Sequence, residues 1–119
     1  VVVKADGATD SCLMDEQVPL DADCVASEVA AALGACMLTI IAIVAERDKI
    51  DTSGLAFECS KHMSSDAPRR ISSIPLVLHM PAGLAPSIRA KLERAALTCP
   101  VHHSLLESID KSVEFRYPD

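Results

Sequence analysis

The stretch that decides the fold is Val29-Ala-Ala-Ala-Leu-Gly-Ala-Cys-Met-Leu-Thr-Ile-Ile-Ala-Ile-Val-Ala45, an unbroken run without a single charge. A bilayer-spanning helix needs about 20 predominantly apolar residues. This run falls short of that, is rich in Ala, contains Gly34 and Thr39, and has no Trp or Tyr at its ends. A helix that is apolar all round is equally one buried on every side, and that reading is preferred to a membrane span. The helix is expected to begin at Asp23 or Ser27 as N-cap. It should end at Arg47, among the charges of Glu46-Arg-Asp-Lys49.

Outward from this helix the pattern changes. Val1 to Lys4 reads as a short strand stopped by Asp6-Gly7, and Ser11 to Gln17 as a second strand. After Gly54, Leu55, Phe57 and Cys59 alternate with Ala56, Glu58 and Ser60, the signature of a half-buried strand. Arg70 to Met80 reads as another strand, and Pro75 within it argues for an edge position or a bulge. Pro86 opens a helix whose Ile88, Leu92, Ala95 and Ala96 form an apolar face, with Arg89, Lys91, Glu93 and Arg94 left for solvent. That helix should give way at Thr98-Cys99-Pro100, a short helix should follow from Val101 to about Ile109, and Ser112 to Tyr117 should close the chain as a strand. The order of strands, long helix, strands, two helices and strand is an α+β pattern, with helices packed on a sheet. The long helix needs more cover than one small sheet supplies, and a homodimer would provide it.

The chain has 119 residues, half of them apolar, and fits one domain over residues 1–119. With no Trp, one Tyr and two Phe, the core must be aliphatic. A formal charge of −6 and the lack of a basic stripe with stacking aromatics speak against nucleic-acid binding. The five cysteines are an odd number set in helix and strand contexts, and no basic-then-apolar leader opens the chain. A reducing, cytoplasmic setting is the expectation.

Two cysteines stand out. Pro100 suits the first helical position, which puts Cys99 at the N-cap, where free N–H groups and the helix dipole favour a thiolate. His102 and His103 would add positive charge or hydrogen bonds. The plainer alternative is an inert, buried cap residue. Cys36, in the apolar helix, reads on its own as a core hydrophobe, although Gly34 beside it suggests close approach of another backbone. Glu28 stands eight residues earlier on roughly the same face. It would orient a partner of the thiol, since acting directly it would raise the thiol pKa. Cys59 reads as core, while Cys12 and Cys24 take no assignment. Cys99 with His102 and His103 lacks the second ligand pair of a zinc site, so no metal is expected. Arg69-Arg70 reads either as a solvated strand start or as a site for an anion. No phosphate loop or other cofactor motif is present, and no cofactor is expected.

Three segments together resemble the OsmC/Ohr family (osmotically inducible protein C and organic hydroperoxide resistance proteins). Ala30-Ala-Ala-Leu-Gly-Ala-Cys36 is similar to the family's AALGAC-type motif, and Arg69-Arg-Ile71 to the strand start that follows it. Thr98-Cys-Pro-Val-His-His-Ser-Leu105 is similar to its CPVH-type motif. Cys99 follows Cys36 by 63 residues, a separation like that of the family's cysteine pair. The likeness runs from about Val25 to the C-terminus. It implies an intertwined homodimer, with long central helices between wrapped sheets and active sites at the subunit interface. It also implies a thiol peroxidase in which Cys36 attacks an organic hydroperoxide, Cys99 resolves the product as a disulfide, and a dithiol donor (a lipoyl protein or a small thiol) restores both. Family members that are vigorous peroxidases use an Arg from an N-terminal strand and a Glu from the helix start. Here Glu28 lies one or two places nearer the cysteine than that Glu, and Lys4 is the only basic residue before Cys36. The N-terminal strands would then be cut short, and a non-catalytic relative binding a small apolar or anionic ligand in the dimer cleft is the alternative.

Overall fold

The structure is a computed structural model that describes Val3–Ala5 and residues 22–118. The strand expected over Ser11 to Gln17, the Asp6-Gly7 stop and Cys12 lie outside the described residues. The chain runs β1 (Val3–Ala5), α1 (Ala22–Arg47), β2 (Ala56–Cys59), β3 (His62–Met63), β4 (Ile71–Ser73), β5 (Leu76–His79), α2 (Pro86–Ala96), α3 (Pro100–Ser104) and β6 (Val113–Arg116). One sheet has the order β1-β2-β5-β6, and β3 and β4 form a second, two-stranded sheet. This is the α+β architecture expected from the sequence.

α1 starts one residue before Asp23 and five before Ser27. Ser27 is therefore buried inside the helix instead of capping it. The far end falls at Arg47 as expected, where Lys49 turns back with φ 55° and its amide bonds Glu46 O. By length and composition, Ala26–Arg47 could cross a membrane, but 44% of its most apolar window is buried inside the fold. Leu33, Met37 and Ile41 form its fully buried stripe. They pack on Phe57 and Cys59 of β2, on Leu76 and Leu78 of β5, and on Leu92 of α2, in one aliphatic cluster. Ala32, Thr39 and Ile43 lie on an exposed face of the same helix.

The alternation read in Leu55, Phe57 and Cys59 is real, and all three are buried. Residues 70–80 behave differently. They form two strands in two sheets, with Pro75 at the step between them, and β5 is an interior strand flanked by β2 and β6. Proline cannot donate to a ladder, so the main sheet picks up the chain only at Leu76, which pairs with Cys59 on one side and Val113 on the other. β5 and β6 are parallel, and α2 and α3 make the crossover between them.

Two further differences come from long-range contacts. α3 stops at Ser104 instead of running to Ile109. Asp110 bridges to Ser73 of β4, its amide bonding Ser72 O and its carbonyl accepting from Ile74 N, while the Ile109 amide bonds Leu106 O in a turn, so the chain leaves the helical path after Ser104. Arg89 and Glu93 of α2 are only half exposed. The Arg89 guanidinium lies 4.1 Å from the Tyr117 ring centroid, and the Tyr117 hydroxyl donates to Glu93 Oε2 at 2.6 Å.

Gly34 has a specific reason to be glycine, and it is not a backbone neighbour. A Cβ there would sit 2.3 Å from Cδ2 of Phe57, a ring that is itself fully buried. Alanine would gain about 1 kcal/mol in helix propensity, but overpacking of a filled core costs about 1–3 kcal/mol. At 2.3 Å the clash prevails. Gly34→Ala should therefore destabilise the protein by up to about 2 kcal/mol in urea melts, and pairing it with Phe57→Leu should recover much of that loss.

Candidate active site

The site is built where α1 meets the turn between α2 and α3. α2 ends at Ala96 with Leu97 as its C-cap, after which the Thr98 hydroxyl bonds Ala95 O and the Cys99 amide bonds Ala96 O. Pro100 then opens α3 with its φ preset and no N–H to satisfy. This fixes Cys99 as the N-cap, as expected, with its Sγ accepting from the His102 amide at 3.5 Å. Cys99 is completely buried, and Cys36 is half-buried against the same core. Both are free thiols.

The two thiols interact. Cys99 is pushed up from 9.0 to about 11, first by burial and then by Cys36, which acts as a hydrogen-bond partner and as a charge. The amides of His102 and Val101 pull in the opposite direction and do not prevail. The thiolate expected at Cys99 is therefore not its resting form. The local reading weighed the helix dipole correctly but could not see that the sulfur is removed from water, and desolvation penalises the charged form.

The histidines also differ from expectation. The His102 ring is held below its ordinary pKa by burial and by the neighbouring charges of Lys111 and His103, so at neutral pH it lends little positive charge. Its contribution to Cys99 is the main-chain N–H. The His103 Nε2 meets the Leu97 carbonyl at 3.0 Å, back toward α2.

Glu28 is half-buried on α1, two turns before Cys36. Eight residues of helix rise are about 12 Å, so it can act on that thiol only through an intervening group. Arg70 of the basic pair is exposed and held by Asp66 and the Pro68 carbonyl. Cys59 is core, as read. Among the described residues, no three His, Cys, Asp or Glu side chains gather as a metal site. One feature had no sequence signal: an open cavity of about 560 Å³ on the outer sheet face, lined in part by Glu58, His79, Arg116 and Tyr117. Glu58 and His79 pair across it at 3.2 Å, and neither Cys36 nor Cys99 lines it.

The OsmC-like protein family model matches residues 28–114. A search of curated proteins finds no match. Among solved structures, the chain is 34% identical, with a TM-score of 0.70, to a Psychrobacter arcticus protein named for osmotic stress induction and detoxification response. That match covers 76% of this chain and 66% of the other, just under two thirds of its length. The OsmC-like protein of Mycoplasma pneumoniae matches at TM-score 0.65 and 16% identity, over 75% of this chain and 67% of that one. The organic hydroperoxide resistance protein OhrB of Bacillus subtilis matches at TM-score 0.63 and 20% identity, over 84% and 73%. The last two, at such identities, support the fold alone.

The raised pKa of Cys99 has a pH signature. A thiol that holds its proton more tightly when folded adds stability that is complete below about pH 9 and is lost as pH climbs through about 11. The full contribution is on the order of 2 kcal/mol. Urea melts of wild type and Cys99→Ala at pH 8, 9, 10 and 11 should therefore converge toward high pH, and a constant gap would contradict the shift.

Proposed function

Because the chain belongs to the OsmC-like family, we propose that it is a thiol-dependent peroxidase that reduces organic hydroperoxides, with Cys36 as attacking thiol and Cys99 as resolving thiol. The observation that carries this reading is that Cys36 of α1 and Cys99 at the cap of α3 pack in one cluster, close enough for Cys36 to help hold the Cys99 pKa up. Burial and the nearby Cys36 both oppose ionisation of Cys99. That favours the half-exposed Cys36 as the first nucleophile, since reactive cysteines are accessible and ionisable while buried thiols are inert. The aliphatic surroundings of Cys36 suit an organic hydroperoxide.

The steps balance as follows. The Cys36 thiolate attacks the distal peroxide oxygen and the O–O bond breaks. The substrate leaves as an alkoxide that takes a proton to become an alcohol, and Cys36 becomes a sulfenic acid. The Cys99 sulfur then attacks the sulfenic sulfur, an S–S bond forms, and water departs with the thiol proton and the hydroxyl. A dithiol donor, a lipoyl protein or a small thiol, returns two electrons and two protons by exchange and is itself oxidised to a disulfide. Glu28 is assigned a positioning part through whatever group lies between it and Cys36. A second copy of the chain would cover the exposed face of α1 around Ala32, Thr39 and Ile43, making a homodimer, and the setting is cytoplasmic.

A second reading, a non-catalytic relative that binds a small apolar or anionic ligand in the dimer cleft, is favoured by the full burial and raised pKa of Cys99, since buried thiols are inert. Turnover of cumene hydroperoxide with dithiothreitol or a lipoylated donor separates the two. Wild type should consume the peroxide, and Cys36→Ser should lose at least about a hundredfold in rate. One equivalent of peroxide should give a Cys36–Cys99 disulfide by peptide mass mapping. Absence of turnover, or an undiminished rate in Cys36→Ser, would sink the peroxidase. In sedimentation, the native protein should run at twice the chain mass.

A further inference from the structure

A disulfide needs its sulfurs about 2.05 Å apart with a torsion near 90°. Cys36 and Cys99 are free thiols packed in one cluster, so bonding them draws the sulfurs closer than they stand and requires one of their supports to give. The supports are unequal. Cys36 sits in a helix of 26 residues, between Leu33 and Met37, which are both fully buried. Ile41 anchors the next turn in the same way. Interiors are close-packed and give little. Cys99 caps a helix of five residues, none of which is fully buried.

What holds that short helix is also specific. The Cys99 sulfur accepts from His102 N, the His103 ring meets Leu97 O, and the Ser104 hydroxyl bonds back to Pro100 O. The reactive atom and the capping atom are the same sulfur. Bonding to Cys36 resets the position and torsion of this sulfur, and a helix start whose cap is displaced loses a main stabilising contact.

We propose that α3 is the moving part of a redox switch: closing the Cys36–Cys99 bond uncaps α3 and loosens residues 100–106, while α1 stays in place. The consequence concerns the reducing half of the cycle. In the reduced protein Cys99 is wholly buried, so its sulfur is out of reach of an incoming thiol. Exchange needs access to a disulfide sulfur. A loosened α3 opens the Cys99 sulfur to attack, beside the half-exposed Cys36, only in the oxidised state. Leu106, 70% exposed just beyond α3, lies on the segment whose mobility would report the change.

This inference rests on the cysteine pair of the preceding reading but not on peroxide as oxidant. The test therefore uses diamide, which takes two electrons and two protons from the pair and becomes the hydrazine as the S–S bond forms. The full-length protein is compared, reduced and diamide-oxidised, by hydrogen exchange read by mass spectrometry, with the disulfide verified by peptide mapping. Amides of residues 101–106 should exchange at least about fivefold faster after oxidation, and those of residues 30–45 should change by less than about twofold. Cys36→Ser treated identically should show no change in α3. The proposal is overturned if 101–106 keep their exchange rate, if the loosening falls on α1, if Cys36→Ser responds as wild type does, or if diamide forms no Cys36–Cys99 bond. A protein that fails to turn over hydroperoxide yet shows the diamide response removes the peroxidase reading and keeps the switch.

Discussion

The approach of α1 to β2 is the constraint on which the rest depends. Phe57 presses its ring into the space where Gly34 has no side chain, at a distance no Cβ could tolerate. That contact sets how deep the helix lies and how it is rotated about its axis. With the rotation fixed, Leu33, Met37 and Ile41 fall into the aliphatic core, and Cys36 is left at its margin. The glycine is a local cost in helix propensity that the buried ring offsets. A half-turn of α1 in either direction would bury the Cys36 thiol or point it away from α3.

A second balance is electrostatic, and it operates at Cys99. Free amides at the start of a helix favour a thiolate, and those of Val101 and His102 do act on this sulfur. Burial opposes them, Cys36 adds to the opposition, and burial is the largest contribution. Two adjacent thiols do not readily carry two charges, so the pair is asymmetric at rest: one sulfur is accessible, the other enclosed and protonated. In the proposed mechanism this asymmetry would give the two cysteines different chemical parts even though both are free thiols on neighbouring elements. It also separates protonation from position, since the same amide that stabilises charge on Cys99 holds α3 in place.

What the sequence made legible follows from the range of the forces involved. The long apolar helix, the alternation in β2, the apolar face of α2 and the cap position of Cys99 are written in periods and local punctuation, and each appears where it was read. The errors have another source. Pro75 was read as a sign of an edge or a bulge, but it marks a step between two sheets, which only the partners of β5 reveal. α3 ends early because Asp110 is held beside β4, far away in sequence. The acidity of Cys99 was misjudged because enclosure by α1 cannot be seen from Thr98-Cys-Pro-Val. Pairing Cys36 with Cys99 was out of reach of local reasoning altogether. Taken alone, Cys36 read as a core residue, and the family likeness assigned it a chemical part.

Position on α1 also bears on what can reach the site. Ala32 and Thr39 flank Cys36 by four residues before and three after, which places them on neighbouring turns of one helix face. Both are exposed, and neither carries charge. A second copy seated on this face, as proposed, would enclose the Cys36 sulfur among methyl groups and a hydroxyl that is already turned inward, since the Thr39 Oγ1 bonds Ala35 O. Such a surface offers no fixed charge to hold an ionised substrate and no strong donor to orient one. On the proposed reading such a lining would suit a hydroperoxide with an apolar body, the reacting end being left to the two sulfurs.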